Sequence, residues 1–552
     1  MNKSKGPVML VVLLIIIVTL AGGVTWLINK TKPTTRRANL QEYFHLQDAE
    51  DAALIVNSKV IKDGLIKKNS MYYVEYGLAS QSINKRIYWD RNENKLLITK
   101  PEEILNIEIL EDREDFYIEG ENLYLSMDFI SENTVMDVHF YENPNRYVVE
   151  NENESALKGV ILKEDAKVRY KGGIKSPVLS EQKKGSILRS LEKMENWTKV
   201  ATEDGYIGYV KNSSLEKETV EMQAPSSDRN LYKGNTRNHK IRMAWHQVTA
   251  QAANENIALL LASMPGVNVI SPTWYSITDN AGNISSLADS AYVEICHQRG
   301  VEVWGLVDNF SSKINSLEIL SRTSSRHHLE DNLIAQAKAV GLDGINIDLE
   351  SIGEKTGPHY VQFIREMGYL CRQNGLVLSV DVPVPQPYTV HYDRKEQGIM
   401  ADYVITMGYD EHTSRSDKAG SVSSIGFTKE SIKNTLAVVP KEKIIQGVPF
   451  YTRLWITDAS ATLKSEVYGM NSAEAYVEEN GLSKSWDKEN GQNYAEKEDD
   501  SGYYQIWLED EQSLTEKLKL IQEYDLAGVA AWKLGFERAS VWPLFLEYLP
   551  QN

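Results

Sequence analysis

From Pro7 to Ile28 the chain reads PVMLVVLLIIIVTLAGGVTWLI, a run without charge and almost wholly apolar. As a helix rising about 1.5 Å per residue it is long enough for a bilayer core of about 30 Å. The run exceeds the apolar part of a cleaved leader, and Ala21-Gly22-Gly23 is a weak cleavage site. The pattern therefore predicts one N-terminal transmembrane helix acting as an uncleaved signal-anchor, with residues 1–30 as cytoplasmic tip and span. Lys3 and Lys5 precede it and Lys30, Lys32, Arg36 and Arg37 follow it, so flanking charge leaves the orientation balanced. The rest of the chain looks extracytoplasmic, which places it outside a single-pass cell-membrane anchor.

Beyond a polar linker at 31–41, residues 42–155 show short alternating runs broken by Asn, Asp, Gly and Lys clusters, the pattern of strands and turns. An internal repeat appears there at an offset of 51: Ser70–Val74 lies over Glu121–Leu125, and Ile87–Asp90 lies over Val138–Tyr141. Each copy predicts a strand, a short helix and a hairpin. Residues 156–218 form a second small β unit, and 219–240 a polar linker. From 241 to 552 apolar runs alternate with amphipathic stretches. The predicted strands are Ile241–His246, Val267–Pro272, Val301–Val307, Gly344–Glu350, Val377–Val382, Tyr403–Met407, Ile444–Pro449 and Gly528–Trp532. A helix over His359–Gln373 carries Val361, Ile364, Met367 and Cys371 on one face, with Gly375 just past its end. Eight strands separated by helices predict an α/β fold with a C-terminal (β/α)8 TIM barrel, in which chemistry sits at the C-terminal strand ends.

Composition narrows the function. Lys plus Arg is 60 against 77 for Asp plus Glu, a net charge of -17. Such a chain lacks the basic face that nucleic acid requires, so no nucleic-acid partner is expected. Two cysteines, Cys296 and Cys371, cannot build a disulfide or zinc framework. His327 and His328, at a helix start beside Glu330 and Asp331, read as an exposed polar turn, Asp410 and His412 lack a third metal ligand nearby, and Lys484 to Asp500 reads as a solvated loop. No metal or cofactor is called for.

The predicted fourth strand carries the chemistry. In Asp343-Gly344-Ile345-Asn346-Ile347-Asp348-Leu349-Glu350, period-two alternation turns Ile345, Ile347 and Leu349 to the helices, and Asn346, Asp348 and Glu350 into the barrel. Barrel interiors are normally branched and apolar, and a buried unpaired carboxylate is expensive. Three inward polar residues at the top of one strand therefore mark either a buried polar network or a catalytic site.

This segment resembles the D-G-x-D-x-D-x-E signature of glycoside hydrolase family 18, with Asn346 in place of the second Asp. Met407-Gly408-Tyr409-Asp410, Gly447–Arg453 and Gly528–Trp532 resemble that family's segments on strands six, seven and eight. The Asn346 form, with Ser271–Trp274 and Ile506–Asp510, is closer to its spore-germination and cell-wall branch. The resemblance implies substrate-assisted retaining catalysis on an N-acetylated glycan, peptidoglycan or chitin oligomers, with cleavage after N-acetylglucosamine. Glu350 would be the acid, Asp348 would orient the acetamide, and Tyr409 would bond its carbonyl. Asn346, Met407, Asp410, Tyr451, Arg453 and Trp532 would line the substrate site. An amide at 346 predicts an Asp348 that stays ionised, its charge raising Glu350 toward the range of a general acid.

Two further resemblances concern the N-terminal half. Trp197-x-Lys199-Val200, Asp204-Gly205 and Gly208-Tyr209-Val210 resemble the bacterial SH3-type domain, implying a cell-wall peptide partner for the 156–218 unit. The repeat region 42–155 resembles the stalk domain named after the copper amine oxidase N-terminus.

Overall fold

The computed structural model describes residues 6–110, 113–134, 137–150, 157–222 and 232–550. Lys3 and Lys5, the end of the repeat region at 151–155 and residues 223–231 of the second predicted linker lie outside them. Two compact units are built, one from Met1–Ile87 with Ile109–Asn230, the other from Tyr88–Glu108 with Leu231–Asn552.

The first unit opens with the helix Gly6–Thr31. The side chains of Met9 to Val24 are nearly all exposed and apolar. Among the described residues no helix is long and apolar enough to cross a membrane. The transmembrane helix predicted from sequence is thus not carried by the structure, and anchoring is taken up below only as a proposal. The predicted linker 31–41 is not a free tether either. Val178 N–H donates to the Arg36 carbonyl at 2.8 Å and Ala38 N–H to the Val178 carbonyl at 2.9 Å, so this segment pairs with a sheet edge that would otherwise leave its backbone groups open.

The repeat is visible in the elements. Met71–Glu75, Ile87–Asp90 and Lys95–Thr99 correspond to Asn122–Ser126, Asp137–Tyr141 and Arg146–Glu150. The two leading strands pair antiparallel, with Tyr73 opposite Ser126. Residues 157–222 form a seven-stranded sheet, in which the hairpin Trp197–Ala201 and Ile207–Lys211 turns through Gly205 at φ +85°. Its last strand, Leu215–Met222, runs into the predicted second linker because Met222 and Val220 pair with Leu157 and Gly159.

The second unit is an eight-stranded parallel barrel: β1 (Ile241–His246), β2 (Val269–Pro272), β3 (Glu302–Asp308), β4 (Gly344–Asp348), β5 (Val377–Pro383), β6 (Tyr403–Met407), β7 (Ile444–Pro449) and β8 (Gly528–Trp532). Each pairs with its sequence neighbours, and β1 closes on β8. Alternation divides the side chains as expected. Ile345, Ile347 and Leu349 join Leu329 and Phe363 in the core beneath the helices. Met243, Trp304, Leu306, Tyr403 and Ile405 fill the interior. Trp304 stacks on Tyr403 with centroids 5.5 Å apart. A Cβ on Gly344 would stand 2.8 Å from the Trp304 ring and 2.8 Å from the Val377 carbonyl, which is why glycine opens β4. With its lower part packed by these rings, the barrel leaves only its upper end for polar chemistry.

Three expectations about the surroundings are corrected. Residues 88–108, placed by sequence in the stalk, pack with the barrel unit. There Asp90 accepts from Thr323 N–H and Thr323 Oγ1, both at 2.6 Å. This caps the helix Thr323–Val340, whose own N-cap residue, Arg322, makes no side-chain bond. His327 and His328 lie within that helix rather than in a turn. Lys484–Asp500, expected as a loop, contains the strands Ser483–Asp487 and Gln492–Asp499 of a five-stranded antiparallel sheet inserted between β7 and β8. Within Gln492–Asp499 the buried side chains, Gln492 and Ala495, are too few among charged neighbours to register as a pattern. Replacing Asp90 by Ala is expected to lower barrel stability by about 1–2 kcal/mol, read from denaturant unfolding followed by tryptophan fluorescence. An unchanged midpoint would contradict the docking of this hairpin.

Candidate active site at the barrel mouth

β4 is held from below. Asp343 accepts from Val303 N–H and pairs with His297 Nε2, both at 2.8 Å, fixing the strand before it enters the barrel. The first inward polar side chain, Asn346, is fully buried. Its Oδ1 accepts from Trp245 Nε1 and Ser271 Oγ, each at 3.0 Å. Trp245 N–H can only donate, so the amide oxygen faces β1 and β2, and Nδ2 is left to donate to Asp381 Oδ1 at 2.9 Å. Asp348 follows, 6% exposed, with an Oδ1 that is buried and has no hydrogen-bond partner among the described residues. Glu350, half-buried, is positioned through its backbone: its N–H donates to Asn309 Oδ1 and its carbonyl accepts from Asn309 Nδ2, both at 2.9 Å.

The electrostatics overturn the expectation of an ionised Asp348. Burial, then the charge of Asp381, then Glu350 and Asp308, push the Asp348 carboxyl well above the usual range. Burial also pushes Asp381 up, to about 8, although Asn346 donates to it. The physical reason is that β5 supplies a carboxyl where β4 carries an amide, so Asp348 still has an acidic neighbour. Glu350 is raised too, but by burial first and by Asp410 and Asp308 after it. The predicted source, the Asp348 charge, gives way to desolvation.

Above these groups opens a cavity of about 210 Å³ lined by Trp245, Phe310, Asp348, Glu350, Asp381, Met407, Tyr409, Asp410, Tyr451 and Trp532. This is smaller than the roughly 300–1,000 Å³ of whole-ligand pockets, so it suits one unit of a longer substrate. Trp245 and Trp532 meet at 6.0 Å and 61°, and Tyr409 stands edge-on to Trp245 at 6.4 Å and 88°. Asp410, in the left-handed region at φ +59°, accepts from Tyr451 Oη at 2.5 Å. Burial holds both tyrosine hydroxyls in the protonated form, with the carboxylates around them adding to the effect.

Seven of the residues predicted for the site therefore line one cavity: Glu350, Asp348, Tyr409, Met407, Asp410, Tyr451 and Trp532. Two do not. Asn346 is spent on Trp245, Ser271 and Asp381. Arg453 donates to Ser465 Oγ at 3.3 Å, in the inserted sheet. The sequence reading missed Asp381, Asp308, Trp245 and Phe310. The alternation argument applied to β4 would have found the first: in Val377–Val382, residues 377, 379 and 381 share a face, and Asp381 is the uppermost.

Elsewhere in the barrel unit, His327, Glu330 and Glu366 bring ligand atoms within 4.8 Å of one another. Arg326 already pairs with Glu366 at 2.7 Å with both side chains buried, so this group is a packed ion pair between helices.

Residues 303–537 match the sequence profile of glycosyl hydrolases family 18. The chain is 28% identical over 270 residues to the glycosylase YdhD of Bacillus subtilis (strain 168), covering 47% of this chain and 64% of that protein. It is 25% identical over 243 residues to the cortical fragment-lytic enzyme of the same organism, covering 43% and 56%. It thus spans less than two thirds of either relative. Among solved structures, the Bacillus cereus spore cortex-lytic enzyme SleL shares the fold, with a TM-score of 0.52 at 19% identity over 60% of this chain and 77% of that one.

Proposed function

We propose that this chain, whose residues 303–537 match the profile of glycosyl hydrolases family 18, is a glycosidase that cleaves β-1,4 bonds after N-acetylglucosamine, in peptidoglycan, by substrate-assisted retaining catalysis. The observation that carries the mechanism is the placing of a half-buried Glu350 and a buried Asp348, both carboxyls pushed up by burial, in one aromatic-walled cavity. A carboxyl that holds its proton is a poor nucleophile, which leaves the substrate's own acetamide to attack. Glu350 gives its proton to the glycosidic oxygen as the acetamide carbonyl oxygen closes on the anomeric carbon. Asp348 holds the acetamide nitrogen, and Tyr409 donates to its oxygen. Water then opens the oxazolinium ring, Glu350 taking the water's proton and regaining its starting state. Trp532 and Trp245 offer ring faces to the sugar.

Peptidoglycan as substrate is supported by the names of the cortex-lytic relatives. Incubation of the full-length chain with purified peptidoglycan, and separately with chitin oligomers, tests it by mass analysis of new reducing ends. N-acetylglucosamine ends from peptidoglycan are expected. Release from chitin alone would make it a chitinase, and no release from either would overturn the reading.

The alkaline limb of the rate profile should follow Glu350, since the acid must be protonated and its pKa is raised. Asp410→Asn removes one contributor to that rise and is expected to move the limb to lower pH. Because Asp410 is exposed and screened, the shift should be small. A limb that does not move would exclude Asp410 as a contributor.

Two proposals concern the N-terminal unit. The helix Gly6–Thr31 is read as a signal-anchor that holds the enzyme outside the cell membrane. Deleting residues 1–30 should move the protein from the membrane fraction to the soluble one. The sheet at 157–222 is read as a wall-peptide module, supported by a cavity of about 370 Å³ whose lining includes Trp197, Arg169 and Asp165. Trp197→Ala should weaken retention on peptidoglycan.

A further inference from the structure

Glu350 stands above the last rung of the sheet. β3 and β4 pair as far as Asp308 opposite Asp348, and β4 pairs with β5 as far as Ile347 opposite Val380. Glu350 lies two residues beyond Asp348, past the ladder on both sides. The chain then turns at once, with Ser351 in the left-handed region at φ +55°. A side chain supplies the missing rung. Asn309, the residue after β3, accepts from Glu350 N–H at 2.9 Å and donates to the Glu350 carbonyl at 2.9 Å. Its Nδ2 also donates to Ser316 Oγ at 3.0 Å, so both amide hydrogens and the amide oxygen are engaged. The turn is held from the β5 side as well: Ile352 N–H donates to Tyr392 Oη at 3.3 Å, and the Ile352 carbonyl accepts from His391 Nε2 at 2.6 Å.

At the half-buried mouth of the cavity, water could satisfy both backbone groups of Glu350. Water would let the acid move with its loop, whereas a planar amide bound at two points holds it. We infer that Asn309 is the positioning residue of the acid: by pinning the Glu350 backbone to β3, it sets the height at which the carboxyl meets the glycosidic oxygen. This role rests on the functional reading above, and it falls to a residue that does not line the cavity. Few other side chains could fill it. Aspartate at 309 would have no hydrogen to give the Glu350 carbonyl, and alanine would make neither bond.

Two leaving groups separate this role from a structural one. In a glycan the departing oxygen is that of an alcohol, which needs the proton of Glu350. In the 2,4-dinitrophenyl β-glycoside of an N-acetylglucosamine disaccharide the departing phenolate is stable without one, and the acetamide attacks as before. The comparison is made in kcat/KM, which reports only the steps up to departure of the leaving group. In the full-length chain, Asn309→Ala is expected to lower kcat/KM on soluble peptidoglycan fragments by about 10²-fold, the effect of misplacing a reacting group by about 1 Å. The loss should fall on kcat, with KM little changed. On the dinitrophenyl glycoside the variant should stay close to wild type.

Ser316→Ala keeps the question open to measurement should Asn309→Ala not fold, since it removes only one bond to the amide. It is expected to show the same selective loss at about 2- to 10-fold, the range for a single hydrogen bond. Equal losses on the two substrates would make Asn309 a structural residue and overturn the proposal, as would wild-type rates on both. A wild type that cleaves neither substrate would overturn the functional reading, and the role of Asn309 would fall with it.

Discussion

Glu350→Gln is expected to reduce turnover of an N-acetylated glycan by about 10²–10⁴-fold, the contribution of a positioned general acid. Glutamine fits the same space, and the Asn309 bonds to the backbone at position 350 do not depend on the side chain. The loss should fall on kcat, because the amide can still sit beside a bound sugar but has no proton to give. Stability should not suffer. Glu350 has a raised pKa in the folded chain, so its carboxylate opposes folding as pH climbs from the unfolded value toward the folded one, and the variant should be equal or more stable at neutral pH. Rate and unfolding measured on the same preparation check both statements. A variant with more than about a tenth of wild-type turnover would remove Glu350 from the role of acid.

The second large effect concerns structure. Arg326→Ala is expected to destabilise the barrel unit by about 3–5 kcal/mol, the cost of leaving a buried charge without its partner. The guanidinium donates to both oxygens of Glu366, at 2.7 and 3.2 Å, and to the Leu320 carbonyl at 2.7 Å. Its carbon lies 4.9 Å from the Tyr88 ring centroid, in the same hairpin that caps the helix through Asp90. Burial, with the neighbouring Glu366 charge, pushes Glu330 well up, while Arg326 holds Glu366 down. Without the guanidinium, two buried carboxyls would face each other with only the more distant His327, 3.9 Å from Glu366, beside them among the described residues. Denaturant unfolding measures the loss. A change below about 1 kcal/mol would mean that water reaches the site and replaces the pair.

The barrel was legible because its strands are short apolar runs with period-two alternation and its helices have a different period. Predicted and observed strand ends differ by at most two residues, as in Val267 against Val269 and Glu350 against Asp348. The inserted sheet between β7 and β8 was not legible. Strand Gln492–Asp499 buries Gln492 and Ala495 amid Glu496, Lys497, Glu498 and Asp499, so hydrophobicity alone reports a loop. The hairpin at 88–108 escaped for another reason. Among its ties to the barrel is the hydrogen bond that Thr323 N–H donates to Asp90, between residues 233 positions apart, and no local pattern encodes a cap supplied from that distance.

The same division runs through the site. Sequence alone determined that Asp348 and Glu350 share a face of β4, that the face is the barrel's inner one, and that Met407, Tyr409, Asp410, Tyr451 and Trp532 stand at the ends of other strands. Backbone periodicity fixes those relations, and any parallel barrel must express them. Only the tertiary structure decided which residues the ends bring together. It brought Asp381 of β5 to the Asn346 amide and sent Arg453 to Ser465. It also decided the protonation of the acids, since a carboxyl's pKa depends on burial and on charges from other strands. Those quantities belong to three-dimensional packing, which no spacing along one strand contains.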